Sequence, residues 1–333
     1  MMCKDKFGRN IDYLRVSLTD RCNLRCVYCM PPQGVPWKPH ETILRFEQVA
    51  QVVEAAAGLG FRKVRLTGGE PLVRKGAVGL VANIAALPGI EEVSMTTNGT
   101  MLSHFAQDLV DAGLRRVNIS LDTLQPERFR RITRLGSIDV VWKGIEAAER
   151  AGLTPLKINV VVVRGLNDDE IADFARLTYH HPWHVRFIEL MPVGEELDWG
   201  SEMPDPEERF LSASEMRQRL AALGTLTPVS GPRGNGPARY FQLPNARGSV
   251  GFISPLSEHF CATCNRMRLT ADGRLRPCLF SGRGVPVKPA LDAGVDVHKL
   301  QALIRQAMRL KPLERPLPAS VPVAGEAMSM LGG

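Results

Sequence analysis

The chain has 333 residues, 44% hydrophobic and 23% charged, with 42 Lys and Arg against 35 Asp and Glu for a formal charge of +7. That length and balance suit one large α/β domain or two ordinary ones with a sizeable core, and they argue against a disordered chain. No apolar run approaches 18 residues and the N-terminal MMCKDKFGRN lacks an apolar h-region, so no membrane span or secretory signal is expected and the cytoplasm is the expected compartment.

Short β-branched runs alternate with longer amphipathic segments, which predicts βα units around a parallel sheet. Strands are predicted at YLRVSLT from Tyr13, KVRLTG from Lys63, EVSMTT from Glu92, RVNISLD from Arg116, LKINVVVV from Leu156 and VRFIEL from Val185. FEQVAQVVEAAAGLG, from Phe46, carries apolar residues at i, i+3, i+4 spacing and predicts a helix between the first two strands. EELDWGSEMPDPEE, from Glu195, has seven acids and no base and reads as a solvated loop. A second region, 212–333, follows a core of 1–211. It holds a helix near 297–310 and a tail with prolines at 312, 316, 318 and 322, predicted to be extended.

Ligands of parallel sheets gather at the carboxyl ends of the strands. There lie TDRCNLRCVYCMPP after the first predicted strand, TGGEP at the second, TTNG at the third, SLD at the fourth and ELMP at the sixth. Cys22, Cys26 and Cys29 give three soft thiolates in eight residues, one short of a closed tetrahedral site. In a reducing compartment such cysteines are ligands rather than disulfides. A zinc site borrowing a distant cysteine is the alternative, and the C-x3-C-x2-C spacing disfavours it. Cys261, Cys264 and Cys278 form a second group of three, for which a zinc knuckle or a shared disulfide framework are the alternatives. From Cys261 to Lys288 there are six basic residues against one acid. Arg266 and Arg268, two apart in an extended segment, share a face and suit phosphate oxygens. No G-x4-G-K-[ST] is present, so a bound nucleotide would not enter P-loop phosphoryl transfer.

The first cysteine loop with GGEP one βα unit later resembles the radical S-adenosylmethionine superfamily. YLRVSLTDRCNLRCVYCMP, KVRLTGGEPLVRK, TTNG, NISLDTL, RFIELMPVG, FCATCNRMRLTADGRLRPCLF and the terminal GG together resemble its GTP 3′,8-cyclase family of molybdenum cofactor biosynthesis, from Tyr13 to Gly333. The resemblance implies a partial (β/α)6 TIM-like barrel whose open side is closed by the C-terminal iron–sulfur segment. It implies two [4Fe–4S] clusters and S-adenosyl-L-methionine, whose amino and carboxylate groups would complete the first cluster. The implied reaction cyclises GTP to 3′,8-cyclo-7,8-dihydro-GTP after removal of the ribose 3′ hydrogen.

By the same resemblance Cys22, Cys26 and Cys29 hold the first cluster and Cys261, Cys264 and Cys278 the second. Tyr28, Gly69, Ser120 and Met191 surround S-adenosylmethionine. Arg15, Arg65, Thr96, Lys157, Arg266, Met267 and Arg268 contact GTP, while Arg186 and the diglycine Gly332 and Gly333 belong to the reaction pocket. Four strand-borne cations, Arg15, Arg65, Lys157 and Arg186, would be expensive in a barrel interior without an anion. Implied partners are an external electron donor and a downstream cyclic pyranopterin monophosphate synthase; a homodimer is left open, and neither membrane nor nucleic acid is expected. A radical enzyme acting on peptide or tRNA is the first rival, but it predicts a long basic surface with exposed aromatics, and only 6% of residues are aromatic. A DNA-binding iron–sulfur regulator is the second, and it lacks a helix-turn-helix pattern.

Overall fold

A computed structural model of the chain describes residues 4–193, 203–205, 208–232, 236–282, 284–315 and 328–331. Cys3, most of the acidic stretch from Glu195, prolines 316, 318 and 322, and Gly332 and Gly333 lie outside the described residues. All six predicted strands form, as β1 (Tyr13–Ser17), β2 (Lys63–Thr67), β3 (Glu92–Thr97), β4 (Leu114–Ser120), β5 (Lys157–Val162) and β6 (His184–Glu189). The second region adds β7 (Thr227–Val229), β8 (Arg239–Gln242), β9 (Ser249–Ile253), β10 (Arg266–Leu269), β11 (Arg274–Arg276) and β12 (Val285–Pro286).

These strands form one sheet in the order β12-β11-β10-β1-β2-β3-β4-β5-β6-β9-β8-β7. β1 to β6 are parallel neighbours in chain order, the signature of successive βα units. The second region extends both edges of this partial barrel: β10 lies parallel to β1, and β9 parallel to β6. The two regions therefore share one continuous sheet. Glu189, fully buried at the end of β6, reinforces the join by accepting hydrogen bonds from the backbone N–H groups of Ala213, Leu256 and Ser257.

The two faces of the sheet differ because side chains alternate along a strand. One face carries Leu14, Val16, Val64, Leu66, Met95, Val117, Ile119, Ile158, Val160, Val185, Phe187, Met267 and Leu269, all within the main hydrophobic core. The helices Phe46–Gly58, Ala77–Ala85, Leu102–Asp111, Ile138–Arg150 and Ile171–His180 bury their apolar stripes in this core. Each fully buried Leu, Ile or Val contributes about 1.5–3 kcal/mol. The helix Val297–Arg309, capped by Asp296 Oδ1 accepting from Lys299 N at 2.8 Å, packs on Phe46–Gly58. This leaves the opposite face of the sheet free to be polar.

Most of the tail predicted to be extended, 316–327, lies outside the described residues, and beyond it Met328–Leu331 makes one helical turn. Leu331 is buried with Val193 and Leu279 and packs against Met191, Phe280 and Met328, an apolar anchor that proline spacing alone does not reveal. Among the described residues no helix is long and apolar enough to cross a membrane.

Candidate functional site

The polar face of the sheet lines a cavity of about 300 Å³. Tyr13 and Arg15 reach it from β1, Arg65 and Thr67 from β2, and Thr96 from β3. Arg116, Asn118 and Ser120 come from β4, Lys157 and Asn159 from β5, Arg186 from β6, and Arg266 and Arg268 from β10. The parallel register puts Arg15 opposite Arg65 on one side and Arg268 on the other. Like charges carried side by side on adjacent strands repel, and burial weakens the screening of that repulsion. Burial and the neighbouring guanidiniums depress Arg15 well below its ordinary value and bring Arg268 down to about 10. Lys157 falls to about 6, chiefly through burial and then through Arg186, Arg116 and Arg65.

Some of these cations already have partners: Arg65 donates to the Tyr13 hydroxyl and, at 3.4 Å, to Thr96 Oγ1, and Arg116 pairs with Glu92. Arg266 lies 4.6 Å from the Phe260 ring centroid. Arg186 hydrogen-bonds Tyr240, but its buried Nε and Nη2 have no hydrogen-bond partner among the described residues. A buried cation with unused donors calls for an anion.

At the carboxyl ends of β1 to β3 the first cysteine loop is held by backbone contacts. Gly69 N and Glu70 N donate to Thr19 O and Arg21 O at 2.8 and 2.9 Å. A Cβ on Gly69 would sit 2.3 Å from Arg21 O, so only glycine permits this approach. Glu70, fully buried, accepts from Leu72 N, Thr97 Oγ1 and Asn98 N at 3.1, 2.8 and 2.7 Å and so joins the second and third strand ends. Burial raises its carboxyl to about 7.

Cys22, Cys26 and Cys29 all line the cavity, beside Tyr28, Gly69, Ser120 and Met191. Cys22 Sγ accepts from Leu24 N at 3.4 Å and Asn98 Nδ2 at 3.8 Å, and Cys29 Sγ from the backbone N–H of Ser329. Burial raises all three thiols, Cys22 to about 11, Cys29 to about 12, and Cys26 well above the ordinary thiol range. Tyr28 donates to Asp122 Oδ2 at 2.5 Å, and Asp122 Oδ1 accepts from Val161 N at 2.8 Å.

The second triad, Cys261, Cys264 and Cys278, lines the same cavity near β10. Burial opposes ionisation of Cys264, but Arg266 and Lys311 outweigh it and hold this thiol at about 6. Leu331 O accepts a long 3.5 Å hydrogen bond from Arg268, and Ser329 also lines the cavity, so the described end of the tail reaches both the cations and the first triad.

The donor set fits iron–sulfur clusters. Each triad offers three soft thiols in one wall of a cavity, and Asn118 Oδ1 and Asn159 Oδ1 are buried there with no hydrogen-bond partner among the described residues. Among the described residues no three His, Cys, Asp or Glu side chains are grouped as a single ion requires.

The cavity thus gathers nearly every residue singled out from sequence. Among the described residues Met267 is the exception: lying between Arg266 and Arg268, it projects to the other face and is 0% exposed in the apolar core, because side chains alternate along β10. Tyr13, Arg116, Asn118, Asn159 and Asp122 were missed, although the same period-two alternation in YLRVS, RRVNIS and KINV points to the first four.

The model of the Radical SAM superfamily matches residues 16–178, and that of Molybdenum Cofactor Synthesis C matches 183–315. A partial barrel with three cysteines at the end of its first strand is therefore a radical S-adenosylmethionine fold, with its S-adenosylmethionine and iron–sulfur chemistry. A GTP 3′,8-cyclase of Moorella thermoacetica is 52% identical over 330 residues, spanning 99% of this chain and 100% of its own. One of Heliobacterium modesticaldum is 53% identical over 313 residues, 93% of each chain. The crystal structure of Streptococcus suis SuiB bound to S-adenosylmethionine shares the fold at 15% identity, with a TM-score of 0.57 over 90% of this chain and 69% of that one. The chain belongs to the GTP 3′,8-cyclase family.

Proposed function

We propose that the chain cyclises GTP to 3′,8-cyclo-7,8-dihydro-GTP, the first step of molybdenum cofactor biosynthesis, using two [4Fe–4S] clusters. The observation that carries this reading is the array of buried cations between two thiol triads, in a chain half identical to GTP 3′,8-cyclases over nearly its full length. Cys22, Cys26 and Cys29 would hold the cluster that binds S-adenosylmethionine. Cys261, Cys264 and Cys278 would hold the other. When bound, the first cluster and S-adenosylmethionine supply one-electron reduction and hydrogen-atom abstraction.

The protein's own groups bind, orient and exclude. Arg15, Arg65, Lys157, Arg266 and Arg268 neutralise the triphosphate, with Thr96 as a neutral contact. Arg186 directs its unused donors at the reacting end of the nucleotide. Tyr28, Gly69, Ser120 and Met191 shape the S-adenosylmethionine side, and the tail ending in Gly332 and Gly333 orients the cations from the other. An enclosed pocket keeps water and stray C–H bonds from the reacting centre. An external electron donor and a synthase that consumes the product complete the partners, and the cytoplasm is the compartment.

Anaerobic reconstitution followed by incubation with dithionite, S-adenosylmethionine and GTP tests this. Formation of 5′-deoxyadenosine together with a cyclised nucleotide is expected. Iron for one cluster only, or 5′-deoxyadenosine with unchanged GTP, would overturn it.

A further inference from the structure

We infer that Arg9 and Lys311 form a two-cation clasp that assembles the second thiol triad, and that Lys311 is a positioning residue that raises the reduction potential of the cluster held there. The inference rests on the two-cluster reading above.

Lys311 follows the helix Val297–Arg309 and is only 2% exposed. Its Nζ donates to Arg266 O at 2.6 Å, Pro277 O at 2.8 Å and Cys264 Sγ at 3.4 Å. Two carbonyl oxygens and a sulfur surround the nitrogen, so with Cys264 ionised as a cluster ligand each of the three N–H bonds of an ammonium ion meets an acceptor. Arg9, also buried, donates through Nη1 to Cys261 O at 2.8 Å and Leu313 O at 3.1 Å, and through Nη2 to Pro312 O at 2.7 Å. Asp5 holds it, with Arg9 Nε donating to Asp5 Oδ2 at 2.7 Å.

Together the two cations reach all three ligand positions. Arg9 fixes the carbonyl of Cys261, while Lys311 fixes the sulfur of Cys264 and the carbonyl just before Cys278. The backbone just beyond Lys311 closes the wrap, since Arg315 N–H donates to Cys261 Sγ. Each buried ion costs several kcal/mol in desolvation unless compensated. Asp5 compensates Arg9. For Lys311 the described acceptors are two carbonyls and a sulfur, so the anionic thiolates of an occupied triad are its natural counter-charge.

An ammonium ion against a ligand sulfur stabilises whichever state of the cluster is more negative, which is the reduced one. Removing that charge should therefore lower the potential. Arg9 contacts backbone carbonyls rather than sulfur, so its loss should loosen the site with little effect on potential.

The test uses the full-length chain carrying Cys22→Ala, Cys26→Ala and Cys29→Ala, so that the second cluster alone is observed by electron paramagnetic resonance. K311Q and K311M should be reduced at a lower potential and lose iron to a chelator about ten- to a hundredfold faster. K311R, which keeps the charge, should retain the parental potential, and R9M should lose iron faster at that same potential. An unchanged potential in K311Q overturns the assignment, whatever its rate of iron loss. Melting followed by circular dichroism identifies a variant that fails to fold; K311Q keeps hydrogen-bonding capacity and decides the matter if K311M does not fold. A parental chain with no second-cluster signal would instead remove the two-cluster reading.

Discussion

Arg15 on β1 and Arg268 on β10 stand in register on neighbouring parallel strands, although 253 positions separate them in the chain. Repulsion between them works against the ligand-free fold, and a polyanion reverses it. Arg268→Ala should weaken GTP binding roughly ten- to a hundredfold, the loss of one charge-assisted hydrogen bond, and guanosine binding much less. The same variant should melt higher than the parent when free of ligand. Equal losses for nucleotide and nucleoside in equilibrium binding would refute the phosphate role.

Lys157 gives this array a pH dependence. Its amine sits at about 6 in the free protein, chiefly through burial and then through Arg186, Arg116 and Arg65. A bound triphosphate should return it toward its ordinary value, so binding above pH 6 takes up a proton. Affinity then falls as pH rises, by at most about tenfold per unit, and levels off below pH 6 where the lysine is already charged. Calorimetry at pH 8 in buffers of different ionisation enthalpy should report the uptake, and Lys157→Met should abolish it.

The contact between Gly69 and the first cysteine loop predicts a local defect. Gly69→Ala would press a methyl group into Arg21 O, 2.3 Å away, and the loop rather than the sheet should yield. First-cluster content and S-adenosylmethionine binding should fall while second-cluster content persists. Gly79→Ala is the control, since nothing lies within 4 Å of its Cβ and alanine favours the helix by up to about 1 kcal/mol. Iron and sulfide analysis with electron paramagnetic resonance separates the two.

What was legible in the sequence followed from periodicity. Arg15, Arg65 and Lys157 were assigned by the family resemblance, and alternation along YLRVS, KVRLT and KINV explains why all three fall on the polar face. The resemblance carried Arg266 to Arg268 over as one segment, whereas the same alternation turns the Met267 side chain to the other face, where it lies in the core. Arg9 and Lys311 were invisible for a different reason: most of their partners are carbonyls, and Arg9 meets Cys261 across 252 positions. Backbone acceptors carry no sequence signature. The turn Met328–Leu331 was hidden because its burial depends on Val193 and Leu279, which only the folded chain brings near.

The two triads should fail differently. Cys22→Ser, Cys26→Ser or Cys29→Ser should abolish reductive cleavage of S-adenosylmethionine, since a hydroxyl is a poor ligand for this iron. Cys261→Ser, Cys264→Ser or Cys278→Ser should leave residual 5′-deoxyadenosine formation while losing the cyclised nucleotide. Chromatography of both products from each variant distinguishes the roles.

The most direct measurement is the fate of deuterium placed at the ribose 3′ position of GTP. In a single anaerobic turnover of the reconstituted protein, the label should appear in 5′-deoxyadenosine in proportion to the cyclised nucleotide formed. Unlabelled 5′-deoxyadenosine alongside cyclised product, or label retained wholly in the nucleotide, would contradict hydrogen abstraction from that carbon.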